Sequence, residues 1–495
     1  MTTVNWRESA QRLNLSRQAF IAGRFTDAAS DKRFEIINPS NGKLLGNLPE
    51  CSPADVDLAV RAARQAFDDG RWRNMAPKAR KKVMLKLASL VEKHREELAL
   101  LDTLSMGMPI SISVNYCIQW TINALEWYGE AIDKLYDEIA PTDKSALALI
   151  TKEPVGVVGA VLPWNWPMGL LGWKVPPALA TGNSIVLKPD EQTSFSALRF
   201  AELTLEAGVP EGVFNVVTGG PAVGEAIGRH PDIDVVGFTG STEVGKLFLK
   251  YSAESNMKPV WTECGGKGPN IVFADAPDLD VAAQTAAFAI FLNTGQVCAA
   301  GSRLIVEESV KERVVAKIAA IGAQLVPNDP LQPETMLGPL AKSAQLERVL
   351  AYIQAGRQEG AKLIAGGARA QPDSGGYFIQ PTVFDGVSND MRIAREEIFG
   401  PVLSTITFRT PEEAIGIANS SVYGLSGAIW TRDISKAHTL ARALRVGSVA
   451  INAYADDAHD ITVPFGGYKQ SGFGRDKSLH ALDKYVQLKT TWVKL

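Results

Sequence analysis

The chain has 495 residues, enough for two to four domains of ordinary size. Hydrophobic residues make up 46% and charged residues 21%, the composition of a folded globular protein, which excludes a disordered or fibrous chain. Fifty-one Lys and Arg against 54 Asp and Glu give a net charge of −3, too balanced to gather nucleic acid or anionic lipid over the surface, so neither is expected as a partner.

The first residues, MTTVNWRESAQRLNL, lack a basic segment followed by an apolar one, and the expected location is the cytoplasm. Four cysteines (Cys51, Cys117, Cys264, Cys298), with no CxxC and no His at ligand spacing, argue against a disulfide framework and a metal site and for a reducing compartment. Residues 52–68 read as a helix with Ser52 as N-cap and Pro53 at its first position. Residues 78–101 place Val83, Leu87, Leu90, Val91, Leu98 and Leu101 on one helical face, so the first 140 residues are expected to be mainly helical.

Val155 to Trp173 carries no charge, long enough to suggest a membrane span. Gly156, Gly159, Pro163, Asn165, Pro167, Gly169 and Gly172 argue against a spanning helix, and the stretch reads as a buried parallel strand running into a turn. From 155 to 273 β-rich runs (VGVVGAVL, NSIVLKP, FNVV, DVVGFTG, PNIVFA) alternate with helical ones, a doubly wound α/β pattern. A second alternation runs from about 303 to 451 through RLIVEE, KLIAGG, LSTITF, GAIWT and GSVAIN, which implies a second α/β domain. ALALITKEP near 146–154 and the terminal YVQLKTTWVKL alternate like edge strands that must pair somewhere, and subunit pairing is one outlet.

Four places carry chemistry. DVVGFTGSTEVGK (234–246) is a strand, a turn at Gly240 and Ser241, and a helix from about Thr242, whose free N–H groups suit a phosphate; the spacing is not GxGxxG, and plain strand-to-helix packing accounts for it equally well. Lys188 ends a strand and precedes Asp190 and Glu191, either a ribose site at the carboxyl edge of the sheet or an N-capping cluster for a helix near Ser194. Cys298 sits among Gly, Ala and Ser in NTGQVCAAGSR, as an unshielded nucleophile or an inert thiol. Glu263 opens ECGGKGPN, a carboxylate beside glycines that permit close approach, or a strand-end turn.

Along essentially its whole length the sequence resembles the NAD(P)-dependent aldehyde dehydrogenases, through PWNWP, KPDEQT, FTGSTEVG, ECGGK, GQVCAAGSR, EEIFGPV and PFGGYKQSGFGR in the family's order. AESNMKPVW and RDKSLHALDKYVQLKTTWVKL look most like the bacterial branch acting on γ-glutamyl-γ-aminobutyraldehyde and related ω-amino or guanidino aldehydes. The resemblance implies two Rossmann-like α/β domains plus a small β oligomerisation element, with 1–140 and 155–262 binding NAD, 263–470 catalytic, and 141–154 with 471–495 bridging subunits of a homodimer or homotetramer.

It further implies that Cys298 attacks the aldehyde to form a thiohemiacetal, with the Asn165 amide and the Cys298 N–H holding the oxyanion; hydride transfer leaves a thioester. Glu263 looks like the base that activates water to hydrolyse it, giving a carboxylic acid. Lys174 and Asp476 match the family's proton relay, and because Asp476 is one methylene shorter than the usual Glu, an intervening water is expected. The cofactor set carried over is Val161, Trp164, Lys188, Glu191, Gly220, Gly240, Ser241, Val244, Gly265, Glu397 and Phe399. Asp190, where the family has Ser, adds a carboxylate where a 2′-phosphate would sit, so NAD is expected over NADP. The turn TGGPAVG is one residue shorter than usual before Gly220, and Cys264 replaces the common Leu or Ala, as a packed hydrophobe or, if within about 7 Å of Cys298, a disulfide partner.

For the substrate, the resemblance implies that Trp120, Trp166, Trp173 and Phe465 wall the aldehyde tunnel, suited to apolar chains or to a cation against ring faces. Aminoaldehyde relatives often carry adjacent acids where this chain has Tyr116 and Cys117; against that, Asp456, Asp457 and Asp460 fall close in sequence to Phe465. A neutral aliphatic or aromatic aldehyde is the alternative substrate, and a CoA-acylating enzyme or a non-catalytic homologue the alternative function, with intact Glu263 speaking against the former and retained Cys298, Glu263 and Asn165 against the latter.

Overall fold

The computed structural model describes residues 4–454 and 460–495. Short apolar strands punctuated by helices wind into two seven-stranded sheets. The first has the order Val260–Glu263, Val235–Thr239, Val157–Val161, Ser184–Lys188, Phe214–Val216, Ala19–Ile21, Arg24–Thr26. Its first five strands are parallel, and the last two form an antiparallel hairpin at the edge. Fully buried strands such as Val157–Val161 and Ser184–Lys188 are what helices on both faces require. Strand order reverses on either side of Val157–Val161, so a crevice is expected beyond its carboxyl end.

The second sheet runs Lys362–Ala365, Thr382–Asp385, Val402–Phe408, Arg303–Glu307, Pro269–Val272, Ser426–Trp430, Ser448–Ile451, parallel except for its first strand. Here the structure departs from the sequence reading. PNIVFA belongs to this second sheet, and the run that closes the first is VWTE, whose short half-polar pattern carries little strand signal. Thr382–Asp385 is a further strand that the alternation did not disclose.

The helix at Pro53–Asp68 starts as expected, with Asp55 accepting from the Ser52 N–H at 2.7 Å and its hydroxyl at 2.8 Å. The apolar face over 78–101 is shared by two helices, Pro77–Lys93 and Arg95–Met106, hinged at His94, whose φ of −102° and ψ of 18° leave the helical region. After a short helix, Trp6–Gln11, residues 19–49 supply four strands, so the mainly helical part of the first 140 residues begins at Pro53. Pro167 opens a helix, Pro167–Ala180, with Gly169 and Gly172 inside it. These glycines serve packing: a Cβ at Gly169 would meet Trp120 at 2.8 Å, and one at Gly172 the Thr121 Cα at 2.7 Å. Among the described residues no helix is long and apolar enough to cross a membrane.

Ala146–Pro154 and Val486–Lys494 pair with each other, antiparallel, from Val486 opposite Pro154 to Lys494 opposite Ala146. Glu138–Ala140 takes the other side of Ala146–Pro154, leaving Val486–Lys494 as an edge with Leu488 and Trp492 exposed. The intervening 471–485 does not join this flange; it folds against the first sheet, where the Cys264 N–H donates to Ser471 O at 2.9 Å and Phe473 N–H to Thr262 O at 3.1 Å.

Candidate active site

Three chain segments meet beyond the carboxyl end of Val157–Val161. The turn 163–166 brings Asn165, the strand Val260–Glu263 ends in Glu263, and the loop after Leu292–Gly295 presents Cys298. That loop is held in unusual backbone. Asn293 and Thr294 have φ of 48° and 57°, and a Cβ on Gly295 would lie 2.2 Å from Gly400. Its geometry is fixed from outside: Asn293 Nδ2 donates to Asn165 O at 2.9 Å, Thr294 Oγ1 to Gly338 O at 2.9 Å, and Gln296 Oε1 accepts the Ala341 N–H at 2.9 Å. Gly266 approaches so closely that its Cβ would be 2.3 Å from Cys298 O.

These residues line a crevice of about 380 Å³ together with Trp164, Gly240, Ser241, Gly265, Glu397 and Phe399, all expected from sequence. Cys298 is half-buried, and its thiol is pushed up by desolvation, then by the carboxylates of Glu263 and Glu397. Glu263 is 4% exposed, its Oε1 has no partner, and burial followed by the charge of Asp476 pushes it up to about 8. Asn165 Nδ2 donates to Gln296 O at 2.9 Å, which leaves its second N–H for another acceptor.

Behind Glu263, Lys174 Nζ meets Asp476 Oδ2 at 2.5 Å, and Lys484 Nζ takes Asp476 Oδ1. Asp476 reaches Lys174 directly despite its shorter side chain: Phe465 and Asp476 exchange both backbone hydrogen bonds, at 2.8 and 2.7 Å, which holds it in place. Burial pushes Asp476 up, but Lys174 and Lys484 outweigh it and hold the carboxyl below its usual range. A cavity of about 10 Å³, the size of one water, is lined by Glu263, Lys174, Asp476, Lys484 and Arg475.

The helix Thr242–Ala253 points its N-terminus at the crevice, capped by Ser241 through the Val244 N–H at 3.3 Å. Glu397 accepts the Gly266 N–H at 2.9 Å, and a Cβ on Gly265 would lie 2.1 Å from its Oε2, so only glycine fits beneath that carboxylate. Trp164 stands edge-on to Phe399 at 5.3 Å. Free helix N–H groups for phosphate and a buried carboxylate for ribose hydroxyls fit a dinucleotide.

Matched against family models, residues 25–491 fit the aldehyde dehydrogenase family. The chain belongs to the aldehyde dehydrogenase family. It is 48% identical to the NADP/NAD-dependent aldehyde dehydrogenase PuuC of Escherichia coli, over 99% of this chain and 98% of that one. A variant of the Pseudomonas syringae indole-3-acetaldehyde dehydrogenase AldA, solved with NAD+ and IAA, superposes with a TM-score of 0.98 at 54% identity, covering 99% of each chain. The γ-glutamyl-γ-aminobutyraldehyde dehydrogenase of Burkholderia cenocepacia gives 0.97 at 49%, again over 99% of each.

Not every residue carried over from the aldehyde dehydrogenase motifs lines the crevice. Val161, Lys188, Glu191, Gly220 and Val244 lie outside its lining, on the same carboxyl edge: Lys188 is the register partner of Val161, and Val161 of Phe238. The Gly220 N–H donates to Glu50 Oε1 at 3.1 Å and is thus engaged by a carboxylate. Asp190 both caps, accepting the Gln192 N–H at 2.9 Å, and pairs with Lys342 at 2.8 Å, so its charge is compensated within the protein. Cys264 packs on the helix Thr242–Ala253, its Sγ 2.9 Å from where a Gly245 Cβ would lie.

Trp120 stacks on Trp166 with centroids 4.6 Å apart and on Trp173 at 5.7 Å, and Trp173 meets Phe465 at 5.1 Å, so the four expected rings form one box. Lys477 Nζ lies 5.6 Å from the ring centres of both Trp173 and Phe465 and donates to Asp460 O at 3.0 Å. Asp460 turns its carboxylate to Thr462, accepting from N–H and Oγ1 at 2.8 and 2.7 Å. Asp456 and Asp457 lie outside the described residues. Sequence reasoning missed Gln345, Arg348 and Tyr423, which line the crevice from the second sheet's side, and Lys484. The i, i+3 spacing of Gln345 and Arg348 on one helix was the only local signal.

Proposed function

We propose that this chain oxidises an aldehyde to a carboxylic acid with NAD, and that Cys298 is the nucleophile. The observation that supports this most is the convergence of Cys298, Asn165 and Glu263 on one crevice with an open helix N-terminus. Cys298 Sγ attacks the carbonyl carbon, its proton leaving to a base, and the oxyanion is held by the Asn165 amide and the Cys298 N–H, each such donor typically contributing about 2.7–4 kcal/mol in the transition state. Trp164, Gly240, Ser241, Gly265, Glu397 and Phe399, with Lys188 and Glu191 toward the adenosine ribose, would hold NAD, which when bound would accept the hydride leaving the thiohemiacetal carbon as the oxyanion collapses to the Cys298 thioester. Glu263 then takes a proton from water, which adds to the Cys298 thioester and releases the acid and the thiol. Lys174 and Asp476 carry that proton onward, with Lys484 beside them. NADH formation from a short aldehyde, abolished in Cys298→Ala, tests the assignment; undiminished turnover would remove the nucleophile.

The aldehyde read from the whole sequence is a γ-glutamylamino-, ω-amino- or guanidino-aldehyde. One observation favours a second reading, a neutral aromatic aldehyde: a box of four rings with an ammonium, Lys477, already over two of its faces. kcat/KM across γ-amino, γ-guanidino, aliphatic and arylacetic aldehydes separates the two. The edge strand Val486–Lys494 suits pairing with another copy, as a homodimer or homotetramer, in the cytoplasm; sedimentation measures the assembly.

A further inference from the structure

Asp476 and Lys477 are neighbours in the chain with different tasks. Asp476 turns to Lys174 and Lys484, whereas Lys477 sends its ammonium to the ring box, 5.6 Å from the centres of both Trp173 and Phe465. Lys477 is 1% exposed. Its place is enforced by the backbone: Lys477 and Ser478 have φ of 60° and 49°, a left-handed pair that residues with a Cβ adopt only where their surroundings over-determine it. Three contacts do so. The Ser478 N–H donates to Ile461 O at 2.7 Å, the Tyr128 hydroxyl donates to Ser478 O at 3.0 Å, and Lys477 Nζ itself donates to Asp460 O at 3.0 Å. Phe465 is fixed to the same segment through its paired backbone hydrogen bonds with Asp476. Strained backbone thus locks a buried ammonium against two of the four rings.

We propose that Lys477 is a specificity-determining residue, a charge filter behind the ring box that selects against aldehydes whose far end is an ammonium or guanidinium. The proposal rests on the aldehyde reading above and on the box of Trp120, Trp166, Trp173 and Phe465 as the wall of the aldehyde site. A ring face attracts one cation through its quadrupole, and here the cation that Trp173 and Phe465 hold is the protein's own. A second cation on the opposite face of either ring would lie about 10 Å from Lys477 Nζ, where like charges behind low-dielectric walls repel enough to cost on the order of tenfold in binding. A neutral tail of the same shape meets the same ring surface without that repulsion. Among the tails read from the sequence, ω-amino and guanidino ends are therefore rejected, whereas a γ-glutamylamino end, whose linking nitrogen is an uncharged amide, passes. Selection here comes from a repulsive element as much as from the fit of the rings.

The test is kcat/KM with NAD+ for two aldehydes of one shape, 4-trimethylammoniobutanal and 5,5-dimethylhexanal, which differ by a charged nitrogen in place of a carbon. The wild type should favour the neutral aldehyde. Lys477→Gln, which keeps a donor for Asp460 O and removes the charge, should raise the ratio of cationic to neutral kcat/KM about tenfold, chiefly through KM. Lys477→Met should do the same, and serves if the glutamine variant does not fold. Lys477→Arg, which keeps the charge, should keep the wild-type ratio. Equal loss on both aldehydes in the uncharged variants would mark Lys477 as a brace for the rings only, and a ratio that stays fixed, or that moves in Lys477→Arg as it does in Lys477→Gln, would remove the charge from the selection; each overturns the filter. So does equal use of the two aldehydes by the wild type, which needs no variant. Failure of the wild type to oxidise any aldehyde, acetaldehyde included, would instead overturn the aldehyde reading.

Discussion

Asp476 holds Lys174 at 2.5 Å on one oxygen and Lys484 on the other, all three closed to solvent. Removing the anion leaves two buried ammonium groups uncompensated, which costs far more than the net worth of an intact pair. Asp476→Asn is expected to lose about 3–5 kcal/mol of stability in urea unfolding, the range for breaking a buried pair. A loss below about 1 kcal/mol would mean the site is wetter than its burial indicates.

Glu263 acts as a base only as carboxylate, and burial with Asp476 pushes its pKa up to about 8. The deprotonated fraction therefore grows as pH rises through that value, and thioester hydrolysis should rise with it. Glu263→Gln is expected to show an initial burst of NADH followed by slow steady turnover, with the rising limb lost. A variant whose limb near pH 8 survives would assign that titration to another group, Lys484 first, since burial lowers it to about 8 despite Asp476.

Burial and the carboxylates of Glu263 and Glu397 hold the Cys298 thiol above its ordinary range. Alkylation by iodoacetamide tracks the thiolate fraction, so in the cofactor-free protein it should be slow at neutral pH and still climbing past about pH 9. Glu263→Gln should speed it several-fold at about pH 9, where Glu263 is a carboxylate whose charge the variant removes, and change it little at pH 7. A plateau near pH 7 in the wild type would contradict the electrostatics of the crevice.

Local pattern was enough for part of this site. Cys298, Glu263 and Asn165 each sit in a short segment rich in small or turn-forming residues, and the backbone demands behind those segments, such as Gly295 against Gly400 and Gly266 against Cys298 O, are strict enough to mark the sequence. Lys342, Gln345 and Arg348 left no such mark. They reach the crevice from a helix some 150 positions from Lys188, and only the packing of one sheet's edge against the other unites them. The same limit explains the strands: alternation announced Ser184–Lys188 and Val402–Phe408, whereas VWTE is too short and too polar to distinguish from a loop. Asp190 shows the same limit from the other side. Its charge was legible, but its partner was not, and Lys342 changes what that charge does.

Asp102 offers a test of burial itself. It is wholly enclosed beneath the helix Pro167–Ala180, where its Oδ2 accepts the Met168 N–H at 3.2 Å and the Cys117 thiol at 3.4 Å, while Oδ1 has no partner. Desolvation raises it to about 7, with the polar groups around it, Met168 N–H and the Cys117 thiol among them, only partly opposing. An acid whose pKa rises on folding binds its proton in the native state while the unfolded chain, near 3.8, has already released it. The stability it contributes is full below the unfolded value and disappears as pH climbs through about 7. The wild type should therefore lose stability on the order of a few kcal/mol between about pH 4 and pH 7 from this group. Asp102→Asn keeps the size and one acceptor but cannot ionise, so its urea midpoint should vary less over that interval. Because this helix carries both Trp173 and Lys174, a parallel change in the two midpoints would place the pH sensitivity in another part of the molecule and leave the unpaired oxygen without an energetic signature.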